Sequence, residues 1–279
     1  MTRAGRSRPA PLLCAAVLLA APPAHATPPP PARAPVATDR ARLEVLATMR
    51  VYFQHASVGG QACGVYDPGG FRAPWGLERI LAENPGAGAS LARNATTAAA
   101  IPLGTIGEWS HGAHNGQPLE KLAAFERALR GGLGGAVDYA LFKIGYADFD
   151  QAGNLTGKGG APAATWFATR YRPAMEALQA AYPATRIIHV TVPVQKARAH
   201  YGNAGIQRFN ELLRSAYPGR VFDLARWQGV GPAGGAPQIG PDGAPCMNDA
   251  WANPPDNHVN QAGADWLAAR LLEFLAGRP

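Results

Sequence analysis

The sequence predicts an α/β protein built on a parallel sheet with helices on both faces, and two observations carry that expectation. Apolar runs rich in β-branched and aromatic residues, such as Val51-Tyr52-Phe53, Val137 to Gly145 and Arg186 to Val192, lack the in-out alternation of a half-exposed sheet. These runs also alternate with stretches of helical period, the order that wraps a parallel sheet. A first strand is expected at 50–54. A helix at 118–130 ends at Gly131-Gly132, and a strand follows at 137–145. Next come a helix at 165–182 closed by Pro183, a strand at 186–192, a helix at 204–216 ending near Pro218, and a strand at 220–224. The last helix, 261–276, is closed by Gly277. Its Ala262, Trp266, Ala269, Leu272 and Leu275 recur at helical spacing, which places Trp266 in the core. The Gly/Pro-rich segments 59–74 and 228–257 are expected to hold little regular structure, and loops of that size in a compact domain are commonly functional.

The chain opens with Arg3, Arg6 and Arg8, a short apolar run from Leu12 to Ala20, and the small-x-small triplet Ala24-His25-Ala26. This is the pattern of a secretory signal peptide at 1–26. The apolar run is too short to span a bilayer, and Pro22-Pro23 would end any helix, so no integral membrane segment is expected after cleavage. Leu13 in front of Cys14 is not the small residue that lipoprotein processing requires. A Pro-rich linker follows at 27–38, and the domain proper is expected at 39–279. These features point to an exported protein, periplasmic or extracellular, and the abundance of Ala, Gly and Pro to a GC-rich bacterial genome.

The net charge of +7 falls to +4 when the three leading arginines are removed. The remaining charges are scattered and mixed in sign, with no basic-aromatic interleaving, which argues against a nucleic-acid partner. Only Cys63 and Cys246 remain after cleavage. An even pair in an exported chain is expected to form a disulfide, here tying together two loops that carry candidate chemistry.

Those loops hold His55-Ala56-Ser57-Val58-Gly59 and Asp256-Asn257-His258-Val259-Asn260. A strand ending in a small, Gly-flanked serine can hold a hydroxyl at the carboxyl edge of a sheet, where a histidine opening a helix could meet it. Read singly, Ser57 is equally a helix cap and His258 a first-turn residue. His55, two residues before Ser57, is expected on the other side of its strand in a structural or supporting role. His111 and His114 have no cysteine or clustered carboxylate beside them, so no metal site is expected. Trp109 and Trp251 fall near these segments and suit either stacking on a sugar ring or packing.

Tyr52-Phe53-Gln54-His55-Ala56-Ser57-Val58-Gly59 resembles the F-x-H-x-S-V-G opening of a divergent branch of the SGNH (GDSL-type) hydrolase superfamily. Further matches follow in order: Gly107 to Pro118, Leu141 to Asp148, His189-Val190-Thr191-Val192-Pro193, Phe209-Asn210, Val221 to Leu224, and His258-Val259-Asn260 with Gly263. The resemblance spans essentially the whole mature domain. It implies a three-layer α/β/α, flavodoxin-like fold with Ser57 as nucleophile, His258 as base and an acid on the same loop. The family places its Asp three residues before the His, where this chain has Pro255; Asp256 is the expected acid, with Asp249, a backbone carbonyl or a plain Ser-His dyad as alternatives. The family's oxyanion Asn is Ala147 here, so Asn115 with the Gly116 amide is the expected substitute and the Tyr146 hydroxyl the second. Gly59 belongs to the same oxyanion region, and Asp148 is either a supporting acid or the end of a strand. The activity implied is a cofactor-free acyl-enzyme esterase acting on acetyl esters of carbohydrates or other small esters. A glycan O-acyltransferase, or a carbohydrate-binding protein of the same fold without catalysis, is the alternative. The sequence leaves oligomeric state open.

Overall fold

The computed structural model describes residues 37–68, 70–110, 116–149, 155, 161–197, 203–254 and 256–279. The expected signal peptide and most of the linker therefore lie outside the described residues. Helix α1 (Ala37–Leu46) begins two residues before the expected domain start.

Six strands form one wholly parallel sheet: β1 (Arg50–His55), β2 (Ser90–Ala92), β3 (Thr105–Ser110), β4 (Tyr139–Phe142), β5 (Arg186–Val190) and β6 (Val221–Phe222). Their order is β2-β3-β1-β4-β5-β6. β1 lies inside the sheet, which explains its uninterrupted apolar run: Val51, Tyr52 and Phe53 are all buried. From β1 the chain crosses to β2 in one direction, and from β3 through β6 it crosses in the other. Right-handed crossovers then place α2 (Val58–Cys63) and α3 (Gly76–Glu83) on one face of the sheet. They place α4 (Pro118–Ala128), α5 (Ala161–Trp166), α6 (Arg172–Ala181) and α7 (Asn203–Ala216) on the other. After α8 (Leu224–Gly229), α9 (Gln261–Ala276) returns to pack on α1, α2, α3 and α8. The result is the three-layer α/β/α, flavodoxin-like architecture, with β1 at the point where the direction of winding reverses. In such sheets, ligands bind outside the carboxyl ends of the strands at that point.

Several elements differ from the sequence reading. β4, β5 and β6 are shorter than expected, and β2 and β3 were not anticipated. The helix expected at 165–182 is α5, a wide turn at Phe167–Tyr171, and α6. The loop expected at 59–74 contains α2, and α3 follows it. α9 has the expected bounds, but its buried stripe is Ala264, Leu267, Ala268, Leu271, Leu272 and Leu275. Trp266 is only partly buried, with its ring stacked on Trp251 at 5.6 Å and under the Arg270 guanidinium. Asn260 caps α9 by accepting the Gly263 amide at 2.9 Å, fixing where the helix starts and hence where His258 falls.

No helix among the described residues is long and apolar enough to cross a membrane. Cys63 and Cys246 are free and buried, so the expected disulfide is not formed. They occupy different neighbourhoods. Cys63 ends α2 in the main core with Glu108 and Glu78 as its nearest charges, whereas Cys246 lies in the 228–249 loop near Asp249, Asp242 and Gln238. Proximity in sequence to Ser57 and His258 does not carry over to the two sulfurs.

Candidate active site

Ser57 sits on the turn between β1 and α2 with φ 50° and ψ −109°, a conformation that non-glycine residues rarely adopt. Such a turn costs about 1–3 kcal/mol and is characteristic of functional positions. Its surroundings over-determine it. The Ala56 carbonyl accepts the Gly59 amide at 3.1 Å, and the Ser57 carbonyl accepts the Gln61 amide at 3.0 Å. Gly59 has no room for a side chain, since a Cβ there would stand 2.6 Å from His55 Cβ. This glycine thus lets α2 close down on β1, and with its amide engaged by Ala56 it is not the oxyanion donor expected from the sequence.

His258 is brought to Ser57 from 201 residues away, and Ser57 Oγ lies 2.6 Å from His258 Nε2. The histidine segment is fastened on both sides. Asn253 N donates to the His258 carbonyl at 2.9 Å, and the buried Gln61 side chain clasps the Val259 backbone, donating to its carbonyl at 2.7 Å and accepting its amide at 3.3 Å. Gln61 was not singled out in the sequence. Only its position one helical turn beyond Ser57 signals it.

Asp256 stands at the other ring nitrogen, with Oδ2 2.9 Å from His258 Nδ1. The contact is close but off the axis of the ring N–H, which makes no aligned hydrogen bond. The cause is the short spacing between acid and histidine. Asp256 Oδ1 turns back onto its own loop, accepting the His258 backbone amide at 2.8 Å and Asn253 Nδ2 at 3.2 Å. Partial burial pushes its pKa up, but the hydrogen bonds and the His258 ring outweigh that and hold the carboxyl below the usual range. Tyr66 and Tyr146 flank the His258 ring, with centroids at 5.3 and 5.9 Å. Tyr146, expected as the second oxyanion candidate through its hydroxyl, thus stands beside the histidine by its ring.

The remaining expected residues divide. Asn115, His111 and His114 lie outside the described residues. The Gly116 amide donates to Asp148 Oδ1 at 3.1 Å and is thereby taken, a correction to its expected oxyanion role. Asp148 is a fully buried hub rather than a strand end. It accepts Lys121 Nζ at 2.7 Å on both oxygens, and the Gly145 amide at 2.8 Å. Asp249, the alternative acid, begins a short turn at Asp249–Trp251, and the carboxylate at His258 Nδ1 is that of Asp256. Trp251 is core, its Nε1 donating to the Val230 carbonyl at 2.6 Å, and Trp109 is partly buried in β3 against the core.

His55 ends β1, and its Nε2 lies 2.8 Å from Glu108 Oε2 on β3, a contact that fits the structural or supporting role expected of it. Both are almost wholly buried. Burial lowers the His55 pKa, with Glu108 opposing; burial would raise Glu108, but the His55 hydrogen bond and charge outweigh it. Glu108 escaped sequence reading because its strand did, and Lys143 escaped because it was read only as part of an apolar run. A lysine in the midst of an apolar run is itself a signal, since isolated charges are seldom buried without partners.

Among the described residues, no group of three or more His, Cys, Asp or Glu is placed to hold a metal. Two open clefts of about 430 and 500 Å³ lie at Asp138, Arg186 and Arg220 and at Leu119, Trp166 and Arg170. Neither includes Ser57 or His258; what marks the site is the juxtaposition of its reactive groups.

No protein-family model and no curated protein matches the chain. Among solved structures, the chain is similar to a Streptococcus pneumonia protein provisionally described as a platelet activating factor, at 17% identity and a TM-score of 0.45, over 86% of this chain and 92% of that one. A second solved structure is similar at 16% identity and a TM-score of 0.43, over 84% of this chain and 98% of that one.

Proposed function

We propose that the protein is an exported serine hydrolase of the SGNH type that cleaves carboxylic esters, acetyl esters of carbohydrates foremost, through an acyl-enzyme on Ser57. The observation that carries this reading is the 2.6 Å contact between Ser57 Oγ and His258 Nε2 on a strained turn at the reversal point of a parallel sheet. The ordered sequence resemblance supports the class, and the leader-like first 26 residues support export.

In the reaction, His258 Nε2 takes the Ser57 proton as Oγ bonds to the ester carbonyl carbon. The tetrahedral intermediate collapses, the carbon–oxygen bond to the alcohol breaks, and the alcohol leaves with the proton from Nε2. Water then attacks the acyl-enzyme with His258 again as base, releasing the carboxylic acid and restoring Ser57. Only water is consumed, so no cofactor is required. The Ser57 backbone N–H serves as an oxyanion donor, and Asp256 steadies the imidazolium mainly by its charge.

The test is hydrolysis of p-nitrophenyl acetate by the folded wild type and Ser57→Ala. The reading predicts turnover by the wild type and a loss of at least about 10³-fold in the variant. Equal rates would refute it and turn attention to polysaccharide binding.

A further inference from the structure

Lys143 is the buried group beside Ser57 that the reaction above leaves unused. It directly follows β4, whose last pairing with β1 is Phe142 opposite Gln54, and its amide donates to the Gln54 carbonyl at 3.0 Å. The parallel ladder thus delivers its side chain to the base of the turn that carries Ser57. That side chain is fully buried, and Nζ donates to the Ala56 carbonyl at 2.9 Å and to the Ile144 carbonyl at 3.3 Å. It has no carboxylate partner among the described residues, because Asp148 is held on both oxygens by Lys121. A desolvated ammonium kept on a main-chain carbonyl is costly, and that cost needs a reason.

The carbonyl it holds belongs to the same peptide unit as the Ser57 N–H. A charged donor on a peptide oxygen draws electron density toward that oxygen, which makes the N–H at the other end a stronger donor. The Gly59 amide grips the same oxygen, so the peptide plane is fixed as well as polarised. Meanwhile the Gly116 and Gly59 amides are engaged elsewhere, and Ala147 has no side-chain donor.

We propose that Lys143 is a positioning residue whose ammonium orients and polarises the Ala56–Ser57 peptide, strengthening the Ser57 N–H as an oxyanion donor. This rests on the serine-hydrolase reading. It predicts that charge on Lys143, and not merely its bulk, sets the chemical step. The charged and titratable groups facing Lys143 are Lys121 on α4, Asp148 after β4, and His55 on β1 with Glu108 beyond it. Burial and then repulsion from Lys121 bring its pKa down to about 7, with Asp148 opposing. The ammonium is therefore lost as pH rises through neutrality.

The experiment measures kcat and KM for p-nitrophenyl acetate from about pH 6 to pH 9 in the wild type and Lys143→Met, subtracting the rate of Ser57→Ala. Lys143→Met is expected to lower kcat at neutral pH by about 10²-fold with KM changed by less than about threefold. Wild-type kcat should fall as pH rises through about 7, and that limb should be absent from the variant. A folded Lys143→Met with wild-type kcat, or one that keeps the alkaline fall, overturns the inference and leaves the hydrolase reading standing. A wild type no faster than Ser57→Ala overturns both. Should Lys143→Met fail to fold, the wild-type profile decides: a fall with unchanged near-ultraviolet circular dichroism supports the inference, and a flat profile overturns it.

Discussion

Two histidine–carboxylate pairs flank Ser57, and they differ in almost every respect except chemistry. His55 and Glu108 are buried, meet at 2.8 Å in an aligned contact, and span adjacent strands in the sheet. His258 and Asp256 are partly exposed, belong to one loop, and meet at 2.9 Å off the axis of the ring N–H. Yet the looser pair is the one whose imidazole reaches Ser57 Oγ. The tighter pair is not the better candidate for catalysis; position relative to the hydroxyl decides. A buried, rigid pair suits holding β1 to β3, and an exposed pair suits a proton that must move.

Substitutions in the two pairs should therefore separate activity from stability. Asp256→Asn removes the charge but keeps the loop's hydrogen-bonding shape, and kcat/KM is expected to fall by about 10- to 100-fold, well short of the roughly 10⁴-fold loss seen where the acid is aligned with the imidazole. A loss as large as 10⁴-fold would mean that the carboxylate swings into line during the reaction. Glu108→Gln should do the reverse, lowering unfolding free energy in urea by about 1–3 kcal/mol while altering kcat/KM by less than about threefold. An active-site-sized loss of rate with unchanged stability would reverse the assignment of the two pairs.

The smallest effect concerns pH. Both members of the buried pair are shifted downward, His55 from 6.5 and Glu108 from 4.5, so the unfolded chain binds more protons than the folded one in acid. Stability should accordingly fall as pH drops below about 6.5 and again below about 4.5, and Glu108→Gln should lack the second component. Urea titrations at several pH values check this, and a parallel pH dependence in the variant would assign it to other groups.

How much of this was legible in the sequence follows from what each segment had to say locally. β1 and β5 announced themselves because central parallel strands are apolar on both faces, and α9 because its apolar residues recur at helical spacing up to Gly277. β3, Thr-Ile-Gly-Glu-Trp-Ser, did not, since its glycine and glutamate serve Ile101 packing and the His55 contact rather than strand propensity. α2 hid because Gly59 and Gly60 resemble a loop, although here they allow close approach to His55 and Tyr66. At the site, Ser57, His258 and Asp256 could be proposed from residue type and order. The supporting contacts of Gln61, Lys143 and Lys121 depend on burial and distance, which no local pattern carries. The disulfide failed for the same reason: two cysteines near two interacting residues in sequence need not approach each other in space.

The most direct test of the account is labelling by a fluorophosphonate, read by peptide mass spectrometry in the folded wild type and His258→Ala. The account predicts a covalent adduct on Ser57 in the wild type, formed at least about 10²-fold more slowly in His258→Ala. Absence of the adduct from the folded wild type, or equal labelling in both proteins, would contradict the claim that His258 activates Ser57 as a nucleophile.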